Sequence, residues 1–574
     1  MKLKLPKDIK GFSFPRLFSF EMNEFEVEAL LPALFYLIRS GGRGRGKLTD
    51  PTEIEERRDD LANHQHMVNF DDAEGRRVLD KWIRTSLIDT ARRGRSGRGG
   101  EQIFYVKPLT FLSYKPGFPA EGRRVRAVPA FIYHILKHAP GGASGSGPMG
   151  GLRFICDAFA EGVELEDSVA MGGRYDGKTS LDVETLGQLH YLDGFKPCPP
   201  STTAPKVPPP KPALARAARR IASDVDRLVR AYRERVPSRT LAEFLTGLLN
   251  FQLFVYTLEL QHVVNRLVDG KTVDPWWDEG PDDLPSPVRF YVDFVGDRGH
   301  LSARMSQEQV EAHFAAVQRF FRNSLLLRTL HRSLSVAFHP EEDGYRSGKN
   351  FSVLLGWKQE PTARARATHD WQRILDENGI DEHGDIPEDL SGVLSPPTGD
   401  EVERLVHVLE EAQRSETLNN ILQWYRSVGG LVRNDGILAG NVRGRRAWRL
   451  QMSEGLLEIL VQLCCVTPGY AESQQEPESN GIGLRPRPVS LGSFLRFLEE
   501  RYGIIVDRPP EWMQSVETVA AAKENLEALK RRLRQMGVFE DLSDDFNAQY
   551  IEPRYATERG SGVNTHGHKV VGHD

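Results

Sequence analysis

The chain has 574 residues, 39% of them hydrophobic and 27% charged, with 52 glycines and 35 prolines. That length exceeds what one hydrophobic core organises and points to three or four compact units of roughly 100–200 residues separated by flexible breaks. With 75 basic and 80 acidic residues the net charge is −5, so no global field draws the whole molecule to DNA or to an anionic membrane, and any such attraction is local.

Only four cysteines occur, Cys156, Cys198, Cys464 and Cys465, and the adjacent pair cannot bridge without strain. This usage fits a reducing compartment rather than a disulfide scaffold. The first residues, Met1 to Lys7, lack the apolar run of a secretory signal. No stretch approaches the ~20 uninterrupted apolar residues that span a bilayer. The expectation is a cytoplasmic protein without membrane contact.

In chain order, Phe25, Leu30, Leu34, Leu37 and Ile38 mark a helix that stops at the Gly-Arg run from Gly41 to Gly46. Val78, Trp82, Ile83 and Leu87 mark a second, followed by the basic run Arg92 to Arg98 and the strand-forming Gln102-Ile103-Phe104-Tyr105-Val106. Helix, basic turn and strand in that order predict a winged-helix-like unit within residues 1–139. Residues 140–212 form a Gly- and Pro-rich linker region holding one small segment. From Ala213 the pattern is helical: Ile221, Val225, Leu228 and Val229 form one stripe, while Arg216, Arg219, Arg220 and Arg227 occupy other faces. Leu241 to Leu267 and Gln307 to Leu330 continue a central helical bundle over 213–398. A basic winged-helix-like module spans 400–467, a C-terminal helical docking domain 489–557 and a disordered tail 558–574. The predicted fold class is therefore mainly α with small β-hairpins, multi-domain, with winged-helix-like modules flanking the bundle.

Gly172-Gly-Arg-Tyr-Asp-Gly177-Lys178-Thr179 satisfies the pattern of a phosphate-binding P-loop, in which backbone N–H groups wrap the phosphates, Lys reaches the β/γ-phosphates and Thr binds Mg²⁺. Such a loop needs a buried strand before it and βα units after it. The preceding Glu164 to Met171 is too polar for that strand, and Asp293, the one tolerable Mg²⁺ partner, lies far downstream. A glycine-rich surface loop is the favoured reading, with a nucleotide-dependent enzyme using Gly172, Gly177, Lys178 and Thr179 as the alternative.

His134 and His138 would share a helix face, but zinc needs at least three protein ligands. Cys464-Cys465 lacks knuckle spacing, and the tail histidines His566, His568 and His573 read as solvated. Asp343 and Lys358 flank a strand-like Phe351 to Leu355, yet Gly356 stands where a second acidic ligand belongs. No catalytic constellation, metal or cofactor is assigned.

The strongest local signal lies near the C-terminus. Leu418, Ile421, Leu422, Trp424 and Tyr425 predict a helix ended by Gly429-Gly430. An Asp435-Gly436 turn, the basic stretch Asn441 to Leu450 and a helix through Leu456, Leu457, Ile459, Leu460 and Leu463 complete a winged-helix order. Arg433, Arg443, Arg445, Arg446 and Arg449 are the candidates for neutralising phosphates, Trp448 packs inward or stacks on a base, and Gly444 lets the wing turn sharply. A solvated hairpin, or one that docks an acidic protein, fits the same residues.

This wing, the Leu456-Leu-Glu-Ile-Leu460 helix and Phe494-Leu-Arg-Phe-Leu-Glu-Glu-Arg-Tyr-Gly503 resemble accessory proteins of multigene bacterial anti-phage systems, in particular a core accessory protein of the methylation-associated defence system. The resemblance covers about the last 150 residues and carries no catalytic residues with it. It implies a cytoplasmic partner of modification enzymes and ATPases that helps recognise or restrict invading DNA. The expected function is a non-enzymatic DNA-binding or scaffold subunit of a phage-defence complex, with DNA and other subunits as partners; the alternatives are the nucleotide-dependent enzyme and a pure assembly factor.

Overall fold

A computed structural model describes residues 3–46, 54–92, 101–117, 124–138, 152–166, 171–202, 212–273, 285–334, 349–380, 388–394, 399–470, 484–540 and 549–556. The fold is 58% helix and 9% strand, which makes it mainly α, as the apolar periodicity predicts. In the first part, α1 (Leu30–Arg39), α2 (Ile54–Ala62), α3 (Ala73–Trp82), α4 (Val128–His138), α5 (Arg153–Phe159) and α6 (Val183–Asp193) alternate with two hairpins. These are β1 (Ile88–Arg92) with β2 (Glu101–Val106), and β3 (Val163–Leu165) with β4 (Gly173–Tyr175), both antiparallel. The order helix then hairpin is present after α3, while the basic residues 93–98 lie outside the described residues.

The long helices follow: α7 (Ala215–Tyr232), α8 (Ser238–Val268), α9 (Leu301–Leu334), α10 (Lys349–Gly356), α11 (Pro361–Glu377), α12 (Glu388–Leu394) and α13 (Glu401–Val428). Helix α8 has no polar face, and a helix apolar all round must be enclosed. It alone among the described residues is long and apolar enough to cross a membrane, and 89% of its apolar window is buried inside the protein. Helices α7, α9, α13 and α14 (Glu454–Cys464) pack around it. Its few polar side chains fix the register of these neighbours. Thr257 Oγ1 accepts from Trp424 Nε1 at 3.0 Å and Gln261 Oε1 accepts from Tyr425 OH at 2.7 Å, so these two buried polar groups find their partners on α13.

Two expectations are corrected here. The helix anticipated at 417–427 is only the last part of α13, because Val402, Leu405, Val406 and Leu409 extend the apolar stripe back to an N-cap at Asp400, whose carboxylate accepts from Glu403 N–H at 2.8 Å. The strand anticipated at 351–355 is helix α10: Phe351 and Leu354 are buried three residues apart, a helical spacing.

The chain from Leu3 to Glu26 has no regular helix or strand, yet it is an aromatic strap laid into the bundle. Phe12 meets Phe320 and Phe321 edge-on, Phe14 meets Phe351, and Phe20 stacks on Trp424 with centroids 4.9 Å apart. Asp8 accepts from Arg373 at 2.7 and 2.9 Å and from Arg332 at 2.8 Å, and the Arg373 hydrogen bond holds its carboxyl well below the usual range.

At the C-terminal end stand β8 (Val489–Ser490), α15 (Leu491–Tyr502), β9 (Ile504–Ile505), α16 (Val516–Gln535), β10 (Phe539–Glu540) and β11 (Tyr550–Ile551). The strands order β10-β11-β8 in one sheet, and β9 runs parallel to β5 (Phe290–Tyr291). That pairing joins residues over 200 positions apart. One hydrophobic cluster extends from Leu3 to Ile551.

Candidate nucleic-acid interface

Between α13 and α14 the chain makes the antiparallel hairpin β6 (Leu438–Asn441) and β7 (Gly444–Leu450). Its reversal uses Val442 and Arg443, with Asn441 Oδ1 accepting from Arg443 N–H at 2.9 Å, an Asx turn of the kind asparagine favours. A Cβ at Gly444 would make only an ordinary contact, 3.7 Å from Asn441 Cβ; the demanding glycine is Gly440, at φ +146°, where an added Cβ would lie 2.8 Å from the Ala447 carbonyl oxygen. The Asp435-Gly436 turn precedes the hairpin and folds against Gly430, so the two glycines at 430 and 436 have no room for a Cβ.

The six sequence candidates separate into two groups. Trp448 is 2% exposed, donates Nε1–H to the Asn441 carbonyl at 2.8 Å and meets Phe314 edge-on at 5.6 Å. It anchors the hairpin and is unavailable to a base. Arg449 is also buried, donating to Gln451 Oε1 at 2.5 Å and lying 3.8 Å from Asp293; burial lowers its pKa against the pull of Asp293. Arg433 grips both Asp435 oxygens at 2.7 and 2.9 Å and also pairs with Glu28. Burial opposes its charge, but these carboxylates raise its pKa on balance. Trp448 and Arg449 are interior braces, and Arg433 is a half-buried one.

Arg443, Arg445 and Arg446 are exposed at the hairpin tip. None has an ion pair among the described residues, where most arginines do. Their backbone is nonetheless fixed: Gln307 Nε2 donates to the Arg446 carbonyl and Ser306 Oγ to the Leu450 carbonyl, each at 2.6 Å, tying β7 to α9. The result is a set of exposed guanidinium ends on a backbone tied to α9, which can form charge-assisted bonds to phosphates or carboxylates.

Gly172, Gly177, Lys178 and Thr179 do not form a phosphate cradle. Gly173 to Tyr175 is the second strand of an antiparallel hairpin rather than a buried parallel strand. Asp176 Oδ1 accepts from the N–H groups of Lys178 and Thr179 at 2.8 and 2.9 Å, so these donors are already occupied by a carboxylate. The next helix, α6, starts at Val183 with its own cap at Asp182. Asp293, the Mg²⁺ partner that a nucleotide site would have needed, is fully buried and committed to structural hydrogen bonds, accepting from Ser302 Oγ at 2.7 Å and from the N–H groups of Val295 and Gly296.

Lys358 pairs with Glu403 at 2.5 Å, and Asp343 lies outside the described residues. All four cysteines are buried and none forms a disulfide; burial pushes the Cys465 thiol up to about 12. The arginines of α7 include a feature the sequence did not disclose. Arg220 bonds Glu259 at 2.7 and 2.9 Å, and Asp224 accepts from Arg501 Nε, Tyr502 OH and Gln252 Nε2. Apolar stripes reveal burial, whereas pairing across 277 residues leaves no local pattern.

Comparison with curated proteins finds no similar sequence. The sequence does match the family described as "Methylation-associated defense system protein MAD7", over residues 7–555. The match takes in the strap, the bundle, the basic hairpin and the C-terminal sheet alike, and on it the chain belongs to the MAD7 family of methylation-associated defense system proteins.

Proposed function

We propose that this member of the defence system is a non-enzymatic, cytoplasmic subunit that contacts DNA through Arg443, Arg445 and Arg446, with the α13–hairpin–α14 unit serving as a winged-helix-like module. The observation that carries the reading is the contrast within one hairpin: Arg433 and Arg449 are paired inside the fold, and the three tip arginines are exposed without ion pairs among the described residues. Cations left unpaired on a rigid projection favour a polyanion, because releasing its condensed counterions drives binding. Family membership supports other subunits of the system as further partners. The exposed Trp512, Val516 and Val519 offer an apolar surface for that contact.

The test is binding of the full chain to short duplex and single-stranded DNA at two salt concentrations, beside an Arg445→Ala/Arg446→Ala variant. Salt-sensitive binding that the variant loses is the expected result. No binding at low salt would overturn direct DNA contact. The assembly reading would then be examined by co-purification with neighbouring gene products after nuclease treatment.

A further inference from the structure

The turn after α2 brings His64 against the C-terminal end of α6, where His190 and Asp193 lie three residues apart on one helix face. A nitrogen of each imidazole and a carboxylate oxygen of Asp193 all lie within 4.8 Å of one another, His190 Nδ1 being 3.9 Å from Asp193 Oδ2. The His64 and His190 ring centroids are 4.0 Å apart, and His66 stacks on His190 at 5.1 Å. His190 is the telling member. Its side chain is only 5% exposed, and neither ring nitrogen has a hydrogen-bond partner. An imidazole buried in this way forfeits its hydration without replacement, a cost of about 1–3 kcal/mol for each unsatisfied group, and natural folds rarely leave such a group unanswered.

We propose that His64, His190 and Asp193 bind a zinc-class divalent metal ion. Two imidazole nitrogens and one carboxylate oxygen, with no thiolate, suit zinc and its borderline neighbours. Ligand atoms about 2.0–2.2 Å from a tetrahedral ion stand roughly 3.3 Å apart, so the cluster contracts slightly around the metal. His64 has the freedom to do this because it sits in a turn rather than a helix. Its Nδ1 faces the His66 N–H at 3.4 Å, which leaves Nε2 for the ion. Asp193 is exposed, and the fourth position opens to solvent, where water completes the shell. The ion would pin residues 126 positions apart in sequence, a spacing at which no zinc motif is recognisable.

The experiment uses the full chain with His566, His568 and His573 changed to Ala, so that the tail cannot bind metal. After chelator treatment it is titrated with Zn²⁺, with bound metal measured by elemental analysis after gel filtration and melting followed in parallel. The expected result is about one Zn²⁺ per chain and a higher melting temperature with metal. Asp193→Asn and His64→Gln replace half-buried or exposed groups and preserve the fold; each should weaken binding at least ~10-fold, since even groups that only support the ligands contribute that much. Co²⁺ should show ligand-field absorption without a thiolate charge-transfer band. Zinc binding unchanged in both variants, or no zinc retained by the tail-substituted chain, would overturn the proposal and leave the His190 nitrogens to water.

Discussion

Removing the Asp224 carboxylate tests whether the C-terminal segment is energetically part of the bundle. Asp224 is fully buried on α7 and holds three donors, Arg501 and Tyr502 from α15 and Gln252 from α8. Burial and the Asp224 charge raise the Tyr502 pKa, and the Arg501 guanidinium, although disfavoured by burial, is held charged by the same carboxylate. In Asp224→Ala the Arg501 charge stays buried without its partner, which costs about 3–5 kcal/mol. The orphaned Tyr502 and Gln252 donors share the same network and do not add independently. If all 574 residues melt together, an unfolding entropy of about 1.2 kcal/mol/K turns that loss into a drop of about 3–4 °C. A C-terminal unit of about 70 residues melting alone, with an unfolding entropy of about 0.15 kcal/mol/K, would show a drop of about 20–35 °C in its own transition and none in the other. Differential scanning calorimetry separates the two outcomes. A shift below about 1 °C in every transition would refute the claim that this network carries the joint.

The tip arginines give a graded prediction: if all three contact phosphates, they contribute about 2.7 to the slope of log affinity against log salt, or about 40-fold between 50 and 200 mM. The Arg445→Ala/Arg446→Ala variant should retain about 3.5-fold of that dependence, and an unchanged slope would place the contact elsewhere. Lys178→Ala should leave nucleotide binding and melting unaltered, because Lys178 is an exposed residue beside an Asx turn; a loss of nucleotide binding in a filter assay would contradict this. Trp448→Ala should destabilise by about 3–5 kcal/mol, as for other buried aromatics, and a surface-like loss below ~0.5 kcal/mol in urea titration would contradict its anchoring role. Burial lowers the pKa of His313 and of His331 to about 4 in the fold, against about 6.5 unfolded. The unfolded chain therefore binds more protons between these values, so stability falls as pH drops from about 6.5 to 4, by at most a few kcal/mol per histidine. His313→Gln should flatten that part of the pH profile of the melting temperature; an unaltered profile would rule the residue out.

The helical character was legible because an apolar stripe is a local property. The 3.6-residue spacing of Ile221, Val225 and Leu228, or of Phe320, Phe321 and Leu327, records which face is covered without revealing what covers it. The basic hairpin was likewise visible as a turn between β-forming residues, and the polar stretch before Gly172 already argued against a nucleotide loop. Isolated motifs were less dependable: Phe351 to Leu355 resembles a strand by composition, but its contacts with neighbouring helices select a helix.

Local sequence was enough for the mainly helical class, the position of the basic hairpin and the family resemblance to an anti-phage accessory protein. Tertiary structure decided which of its cations face solvent. Arg433 and Arg445 are indistinguishable as letters, yet one is locked to Asp435 and the other is exposed, because burial and pairing depend on groups brought near by the whole fold. The same reason hid the aromatic strap on Trp424, the Asp224 network and the meeting of His64 with His190. Periodicity encodes a residue's orientation on its own element, whereas its partner is fixed only when distant elements pack.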